Sequence, residues 1–222
     1  MLGTGWVASA GALIYAAAGG VYAIIMAGGS GTRFWPASRR TRPKQFLRVA
    51  GDEPLLRETW RRIEGLVPPE RTLVVTVAGQ AAEVRKLLPA LPRENVLAEP
   101  ESRNTGPCVA LAACEIERRS PNSVQVVLPA DHVIRPLQAF ERSVLAAVEE
   151  ASLHSTLVVF GIRPAHPATG FGYIEAGELC AEVRQTPIYR VRRFVEKPSL
   201  ARAQEFLFQG SFFWNAGIFV WR

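Results

Sequence analysis

The clearest structural signal in the chain is VYAIIMAGGSGTRFWPASRRTRPKQFL, residues 21–47. Its first seven residues form an unbroken apolar run, which is typical of a parallel strand buried on both faces of a sheet. Gly28, Gly29 and Gly31 follow at once, and glycine lets a backbone turn tightly and aim its N–H groups at an anion. The stretch therefore predicts a buried strand ending in an anion-binding loop. A tight strand-to-helix turn with a solvated basic flank is the alternative.

Basic residues crowd the same region and the stretch just after it, with no acid before Asp52; they are Arg33, Arg39, Arg40, Arg42, Lys44 and Arg48. The net charge of +6 favours an anionic partner, which could be nucleic acid, a membrane surface or a phosphorylated small molecule. No alternation of basic and aromatic residues supports a nucleic-acid platform. Two common phosphate motifs also fail, because GxxxxGK[ST] is absent and GxGxxG meets Phe34 at its third glycine.

Strand-like and helix-like segments alternate after this loop. Repeated alternation of this kind predicts a doubly wound α/β sheet. The predicted strands are 72–77, 95–98, 124–128 and 156–162, and the predicted helices are 54–66, 80–88, 104–118 (with Asn104 as N-cap) and 137–150.

Beyond residue 161 the pattern changes to that of an antiparallel portion. GFGYIEAG and IYRVRRFVEKP alternate like antiparallel strands, and residues 199–209 form a short predicted helix. SFFWNAGIFVW is interpreted as a final pair of strands.

The two ends of the chain and its three cysteines also allow interpretations. Residues 1–20 carry no charge, and we interpret them as an apolar extension outside the fold, with a membrane-associating segment as the alternative. The chain stops on Arg222 at the end of an apolar strand, which we interpret as a C-terminal truncation of a domain spanning 21–222. Cys108, Cys114 and Cys180 have no zinc-site spacing and are predicted to be reduced cysteines of a cytoplasmic protein.

Several motifs together resemble one family. GGSGTRFWPASRRTRPKQFL is similar to the signature GGxGTRLxPLTxxxPK of sugar-phosphate nucleotidyltransferases, and its FWPxSR…PKQFL form resembles the bacterial mannose-1-phosphate guanylyltransferases. The resemblance runs to about residue 221 through EPESRNTGP (99–107), LPADHVI (128–134), TGFGYIEAG (169–177), FVEKP (194–198) and FWNAGIF (213–219). One departure is Gly106, where the family usually has alanine.

The resemblance implies a Rossmann-like doubly wound mixed sheet with an antiparallel sugar-binding portion. It implies an enzyme that joins GTP and mannose 1-phosphate into GDP-mannose and releases pyrophosphate, with Mg²⁺ as cofactor. It implies a cytoplasmic protein that acts on small molecules rather than on nucleic acid or membranes, and it allows a homodimer. The alternatives are a nucleotidyltransferase for glucose 1-phosphate and a different base, and an inactive nucleotide-binding fragment.

The resemblance also assigns the catalytic roles. Arg33 would stabilise the leaving pyrophosphate, and Lys44 would sit at the attacked α-phosphate. Asp131 follows a predicted central strand, where an acid can hold Mg²⁺, although without the family motif a helix or turn cap is the favoured explanation of its position. The neighbouring His132 is interpreted as a positioning residue. The other arginines of the loop are interpreted as solvated or loop-stabilising.

The binding residues fall into two sets. Glu99 is the candidate for choosing the base, because a carboxylate can accept two hydrogen bonds from guanine; a helix cap paired with Arg103 is the alternative. The resemblance implies a nucleotide set of Gly28, Gly29, Gly31, Thr32, Glu99, Asn104 and Thr105, and a sugar-phosphate set of Gly172, Tyr173, Glu196, Lys197 and Asn215.

Overall fold

The computed structural model describes residues 19–29, 35–39, 43–49 and 51–222. Strands and helices alternate through most of this length. The strands are β1 (Val21–Met26), β2 (Thr72–Val77), β3 (Val96–Glu99), β4 (Val124–Pro129), β5 (Val158–Ile162), β6 (Gly172–Val183), β7 (Thr186–Glu196) and β8 (Phe212–Trp221). The helices are α1 (Leu55–Ile63), α2 (Ala81–Leu87), α3 (Thr105–Arg119), α4 (Leu137–His154) and α5 (Leu200–Gln209).

All eight strands join one mixed sheet, in the order β3-β2-β1-β4-β8-β6-β7, with β5 also paired to β8. The first four strands of this order are parallel, and every pairing made by β8 is antiparallel. The predicted doubly wound sheet with an antiparallel portion is confirmed. Among the described helices, none combines the length and apolarity that crossing a membrane requires.

The core lies on both faces of the parallel strands, which is why those strands read as continuous apolar runs. Along β1, Ala23 and Ile25 pack with the residues of α1, α2 and α4, whereas Tyr22 and Ile24 pack on the opposite face with α3. A smaller cluster joins α5 to β6 and β8. Helices on both faces leave only the ends of the strands open to a ligand.

One sequence expectation was wrong. SFFWNAGIFVW is not a pair of strands, because residues 212–221 form the single strand β8. Gly217 adopts a positive φ of 63°, and the Asn215 side chain accepts a hydrogen bond from the Gly217 N–H at 3.0 Å. These features resemble turn chemistry, but here they let one strand bend and continue.

Strand β8 also separates β5 from β4. Strand β8 lies between β4 and β5, pairing Val126 with Val220 on one side and Val158 with Val220 on the other. Two strands that the chain connects through α4 are therefore separated in space by a strand that comes much later in the sequence.

The beginning of the described chain already contacts the domain. The Gly19 carbonyl accepts hydrogen bonds from the hydroxyls of Ser120 and Ser123 at 2.8 and 2.9 Å, and the Gly20 carbonyl accepts one from the Val124 N–H at 2.9 Å. The interpretation of residues 1–20 as an extension stays a prediction, because residues 1–18 of that segment lie outside the described residues.

Candidate active site

The candidate site lies at the C-terminal edge of the parallel strands. Because β1, β3 and β4 run parallel within one sheet, their final residues meet at the same edge. Gly28 and Gly29 follow β1, Glu99 ends β3, and Asp131 follows β4. The short 3₁₀ turn Lys44–Phe46 also reaches this edge.

Lys44 and Asp131 form an ion pair at the centre of this edge. Their side chains are 22% and 19% exposed, so the pair is partly withdrawn from solvent but remains open to it. The turn that carries Lys44 follows Pro43, and it closes with a hydrogen bond of 3.0 Å from the Leu47 N–H to the Lys44 carbonyl. The resemblance predicted a role for each residue separately, and the structure brings the two together.

The backbone on either side of Asp131 is tied down by hydrogen bonds. The Ala130 N–H donates to the Met26 carbonyl at 3.1 Å, which joins this loop to β1. The buried guanidinium of Arg62 donates to the His132 carbonyl at 2.7 Å and to the Thr59 hydroxyl at 2.5 Å. Sequence reasoning did not select Arg62, although its place on the buried face of α1, between Thr59 and Ile63, is the signal that marks it.

His132 stays neutral at physiological pH. Burial lowers the pKa of its imidazole to about 4, and the positive charges of Arg62 and Lys44 act in the same direction. A neutral ring with so low a pKa is a poor general base near pH 7. This agrees with the interpretation of His132 as a positioning residue.

Glu99 is buried beside the first glycine of the loop. It is 5% exposed, and burial raises the pKa of its carboxyl group. A Cβ atom added at Gly28 would lie 3.1 Å from Glu99 Oε2, so the absence of a side chain at Gly28 keeps this approach open. Arg103, the alternative partner considered for Glu99, pairs instead with Glu101 at 3.2 Å.

The nearby helix α3 begins as predicted, with Asn104 at its N-cap and Thr105 as its first residue. The Asn104 side chain makes no capping hydrogen bond there, and Asn104 has a φ of 65°. Both residues are exposed. Gly31, Thr32 and Arg33 lie outside the described residues, as do Arg40 and Arg42, whereas Arg39 is described and exposed.

The predicted sugar-phosphate residues lie at the junction of β6, β7 and β8. Gly172 is opposite Glu196 in the register of β6 and β7, and a Cβ atom at Gly172 would come within 2.8 Å of Glu196 Oε2. Lys197 Nζ lies 2.8 Å from Glu196 Oε1, and both side chains are more than half exposed. Three of the predicted residues therefore share one small region.

Tyr173 and Asn215 flank this region in different ways. Tyr173 is fully buried against Phe206, and its hydroxyl donates to the Ala168 carbonyl at 2.9 Å. Asn215 is half-buried on β8. Since Val127 of β4 is opposite Phe219 of antiparallel β8, the N-terminal part of β8, which carries Asn215, lies beyond the C-terminal end of β4, which leads to Asp131. The two predicted halves thus lie toward the same edge of the sheet.

A groove of about 620 Å³ lies elsewhere, between α4, β5 and the β6–β7 hairpin, and none of the predicted site residues lines it. A second cavity of about 560 Å³ borders the Lys44 turn and includes Pro43, Phe46 and Gln80 in its wall. We place the site by its convergent charged groups, because the larger groove is walled mainly by apolar side chains.

Comparison with known proteins finds relatives that match most of the chain. The Xanthan biosynthesis protein XanB of Xanthomonas campestris pv. campestris (strain B100) is 44% identical over 207 residues, which cover 91% of this chain and 42% of XanB. The mannose-1-phosphate guanylyltransferase of Escherichia coli (strain K12) is 42% identical over 211 residues, covering 91% of this chain and 43% of that protein. The chain thus spans less than half the length of these relatives.

A solved structure described as a mannose-1-phosphate geranyltransferase from Thermus thermophilus is 37% identical, with a TM-score of 0.82. The match covers 90% of this chain and 57% of that one. The family model described as "Nucleotidyl transferase" matches residues 22–222. This range includes all of the strands listed above, apart from Val21, the first residue of β1. The chain therefore belongs to the nucleotidyl transferase family.

Proposed function

We propose that this domain joins GTP and mannose 1-phosphate into GDP-mannose and releases pyrophosphate. The observation that carries the proposal is the meeting of Lys44 and Asp131 at the edge of the sheet where Gly28 and Gly29 follow β1. A cation, a carboxylate and a glycine loop are the groups that transfer between phosphates requires. The names of the relatives supply the substrates.

In the proposed reaction an oxygen of the sugar phosphate attacks the α-phosphorus of GTP. A new P–O bond forms as the bond to the β-phosphate oxygen breaks, and the bonding electrons leave with pyrophosphate. Lys44 is proposed to neutralise charge that develops on the α-phosphate, and Arg33 to bind the leaving pyrophosphate. The attacking oxygen is already ionised, so no general base is required, in keeping with the low pKa of His132.

Mg²⁺ is the proposed cofactor, with Asp131 as its ligand. A partly exposed carboxylate suits Mg²⁺, which usually takes one or two carboxylates and fills its other positions with water and substrate phosphates. Within the described part of the chain there is no group of three or more His, Cys, Asp or Glu side chains that could hold a metal. The bound cation would neutralise phosphate charge.

The base and the sugar are assigned to the two ends of the site. Buried Glu99 is proposed to accept hydrogen bonds from guanine, and Gly31, Thr32, Asn104 and Thr105 are proposed to bind other parts of the nucleotide. Glu196 and Asn215 are proposed to bind sugar hydroxyls, and Lys197 to pair with the sugar phosphate. Gly172 leaves room for Glu196, and Tyr173 holds the preceding loop through Ala168.

The proposal includes a cytoplasmic location and small-molecule partners. The free state of Cys108, Cys114 and Cys180 supports a reducing compartment. Many arginines of the described residues pair with acids, as Arg119 does with Glu115 at 2.7 Å, which lowers the charge available to nucleic acid. A homodimer stays a prediction.

The test is pyrophosphate release by the 222-residue chain with GTP, ATP, UTP or dTTP, each combined with mannose 1-phosphate or glucose 1-phosphate. GTP with mannose 1-phosphate should be the best pair. A better rate with glucose 1-phosphate and another base would contradict the proposed substrates. GTP binding without pyrophosphate release under any condition would instead favour a nucleotide-binding fragment.

A further inference from the structure

We propose that Gln45, the neighbour of Lys44, is a positioning residue that orients the glycine loop toward the nucleotide. Gln45 is 2% exposed, although it lies in a short turn at the edge of the sheet. Its side-chain amide donates to the Ala27 carbonyl at 2.8 Å and to the side chain of Gln80 at 2.8 Å, and it reaches the Gly29 carbonyl at 3.3 Å. This inference rests on the proposed function, because it assigns a role within the same site.

The direction of these hydrogen bonds is what gives Gln45 its role. A trans peptide plane holds the C=O and N–H groups on opposite sides. Drawing the Ala27 carbonyl toward Gln45 therefore turns the N–H of Gly28 away from it, and that N–H has no hydrogen-bond partner among the described residues. Holding the Gly29 carbonyl inward keeps a partial negative charge from facing a phosphate.

Thr76 reinforces the same arrangement. The Thr76 hydroxyl, fully buried at the end of β2, lies 3.1 Å from the Ala27 carbonyl and 3.4 Å from the Gln80 side-chain oxygen. Gln45 thus links three separate segments: the loop after β1, the turn after β2 and its own turn. Since Lys44 precedes Gln45, the same contacts fix the turn from which Lys44 reaches Asp131.

The test is Gln45→Met, which keeps the length of the side chain but removes its amide. The matched control is Gln125→Met, because Gln125 is also buried in the sheet but lies opposite Tyr22, near the start of β4 and away from the loop. GTP dissociation constants are measured by calorimetry without sugar phosphate, and KM for mannose 1-phosphate and kcat are measured separately. Amide exchange of residues 27–29 is followed in the ligand-free protein.

Gln45→Met should weaken GTP binding about tenfold or more, because the Ala27 and Gly29 carbonyls lose the side-chain amide that orients them. In Gln45→Met, KM for mannose 1-phosphate should stay within about twofold of the parent value, and amide exchange at Gly28 should accelerate. Gln125→Met should change neither GTP binding nor amide exchange at Gly28. If Gln45→Met does not fold, Gln80→Met removes one partner of Gln45 from a half-exposed turn and should weaken GTP binding about threefold.

Gln45→Met binding GTP as tightly as the parent would overturn the inference, as would equal losses in both variants. If Gln45→Met does not fold, Gln80→Met binding GTP as tightly as the parent would overturn it in the same way. If the parent protein binds no nucleotide at all, the proposed function fails whatever the Gln45→Met variant shows. Amide exchange in the ligand-free protein separates the two failures, because it still reports whether Gln45 orders residues 27–29.

Discussion

The Lys44 ammonium contacts the Asp131 carboxylate across the C-terminal edge of the sheet, where the turn after the glycine loop meets the loop after β4. Each group neutralises the other in the absence of a nucleotide. In the proposed reaction, a triphosphate entering between them would compete with Asp131 for Lys44 and would leave the carboxylate to a cation. The pair therefore stands where both ligands would act, and its two residues can be tested separately.

Lys44→Met should lower the rate of pyrophosphate release roughly 100-fold or more, because a fixed positive charge beside the reacting phosphate is lost. Thermal stability should change little, since a partly exposed ion pair contributes about 1 kcal/mol or less. Arg39→Met is the control, as Arg39 is exposed near the same loop. Comparable losses in both variants would mean that general basicity, rather than Lys44 itself, is what matters.

Asp131→Asn should reduce activity roughly 100-fold or more, since replacing even an outer partner of a metal ligand costs about 10- to 100-fold. Mn²⁺ binding, followed by paramagnetic relaxation in the presence of GTP, should weaken in parallel. Asp52 is the only other aspartate of the chain and is exposed, so Asp52→Asn is the matched control. Unchanged Mn²⁺ affinity in Asp131→Asn would remove Asp131 from the proposed metal site.

Glu99→Gln should lower the preference for GTP over ATP about tenfold or more, because an amide cannot accept both hydrogen bonds that guanine offers. Burial raises the pKa of Glu99, so its carboxylate is protonated at a higher pH than an exposed glutamate as the solution is acidified. GTP affinity of the parent should therefore decline earlier on acidification, and Glu99→Gln should lack that decline. Glu101→Gln, at an exposed position, is the control.

The three cysteines should differ in reactivity toward a thiol reagent at about pH 8. Cys114 and Cys180 are exposed, whereas burial and the nearby charge of Glu99 raise the pKa of Cys108 to about 12. Two thiols should react quickly in the folded protein, and the third only after denaturation. Rapid reaction of all three would show that α3 opens readily from the sheet.

Phe206→Ala should destabilise the protein by about 3–5 kcal/mol, measured as the free energy of unfolding in urea. Phe206 is 2% exposed and stacks on Phe212 with a ring-centroid distance of 3.8 Å. Phe208, on the same helix, is 94% exposed, so Phe208→Ala should change stability by about 0.5 kcal/mol or less. Similar losses in the two variants would contradict the packing of α5 on β8.

Much of the parallel sheet could be predicted because its strands are buried on both faces. The predicted strand 72–77 matches β2, and the apolar run that begins at Val21 gives β1. Strand β8 could not be placed in the same way. Asn215 and Gly217 suggest a turn, and only pairing with β4 and β5 keeps the strand continuous.

For the candidate site, the sequence indicates only those residues whose charge suggests a role in binding phosphate or metal. Lys44 and Asp131 carry charges that suggest a role at a phosphate or a metal, whereas Gln45 and Arg62 hydrogen-bond to the carbonyls of Ala27 and His132, which are distant in the sequence. Such long-range contacts to the backbone leave no periodic or compositional trace. Burial of a polar residue in an otherwise amphipathic segment is the signal that remains.

The central position of β8 has a consequence for protein synthesis. The ribosome makes β4 and β5 long before it makes residues 212–221, which fill the space between them. Until β8 emerges, the backbone edge of β4 that it will cover is unpaired, and such an edge invites pairing with other chains. Nascent chains that end before residue 212 should therefore depend on chaperones. The sheet should become complete only when β8 has left the ribosome and paired with β4 and β5.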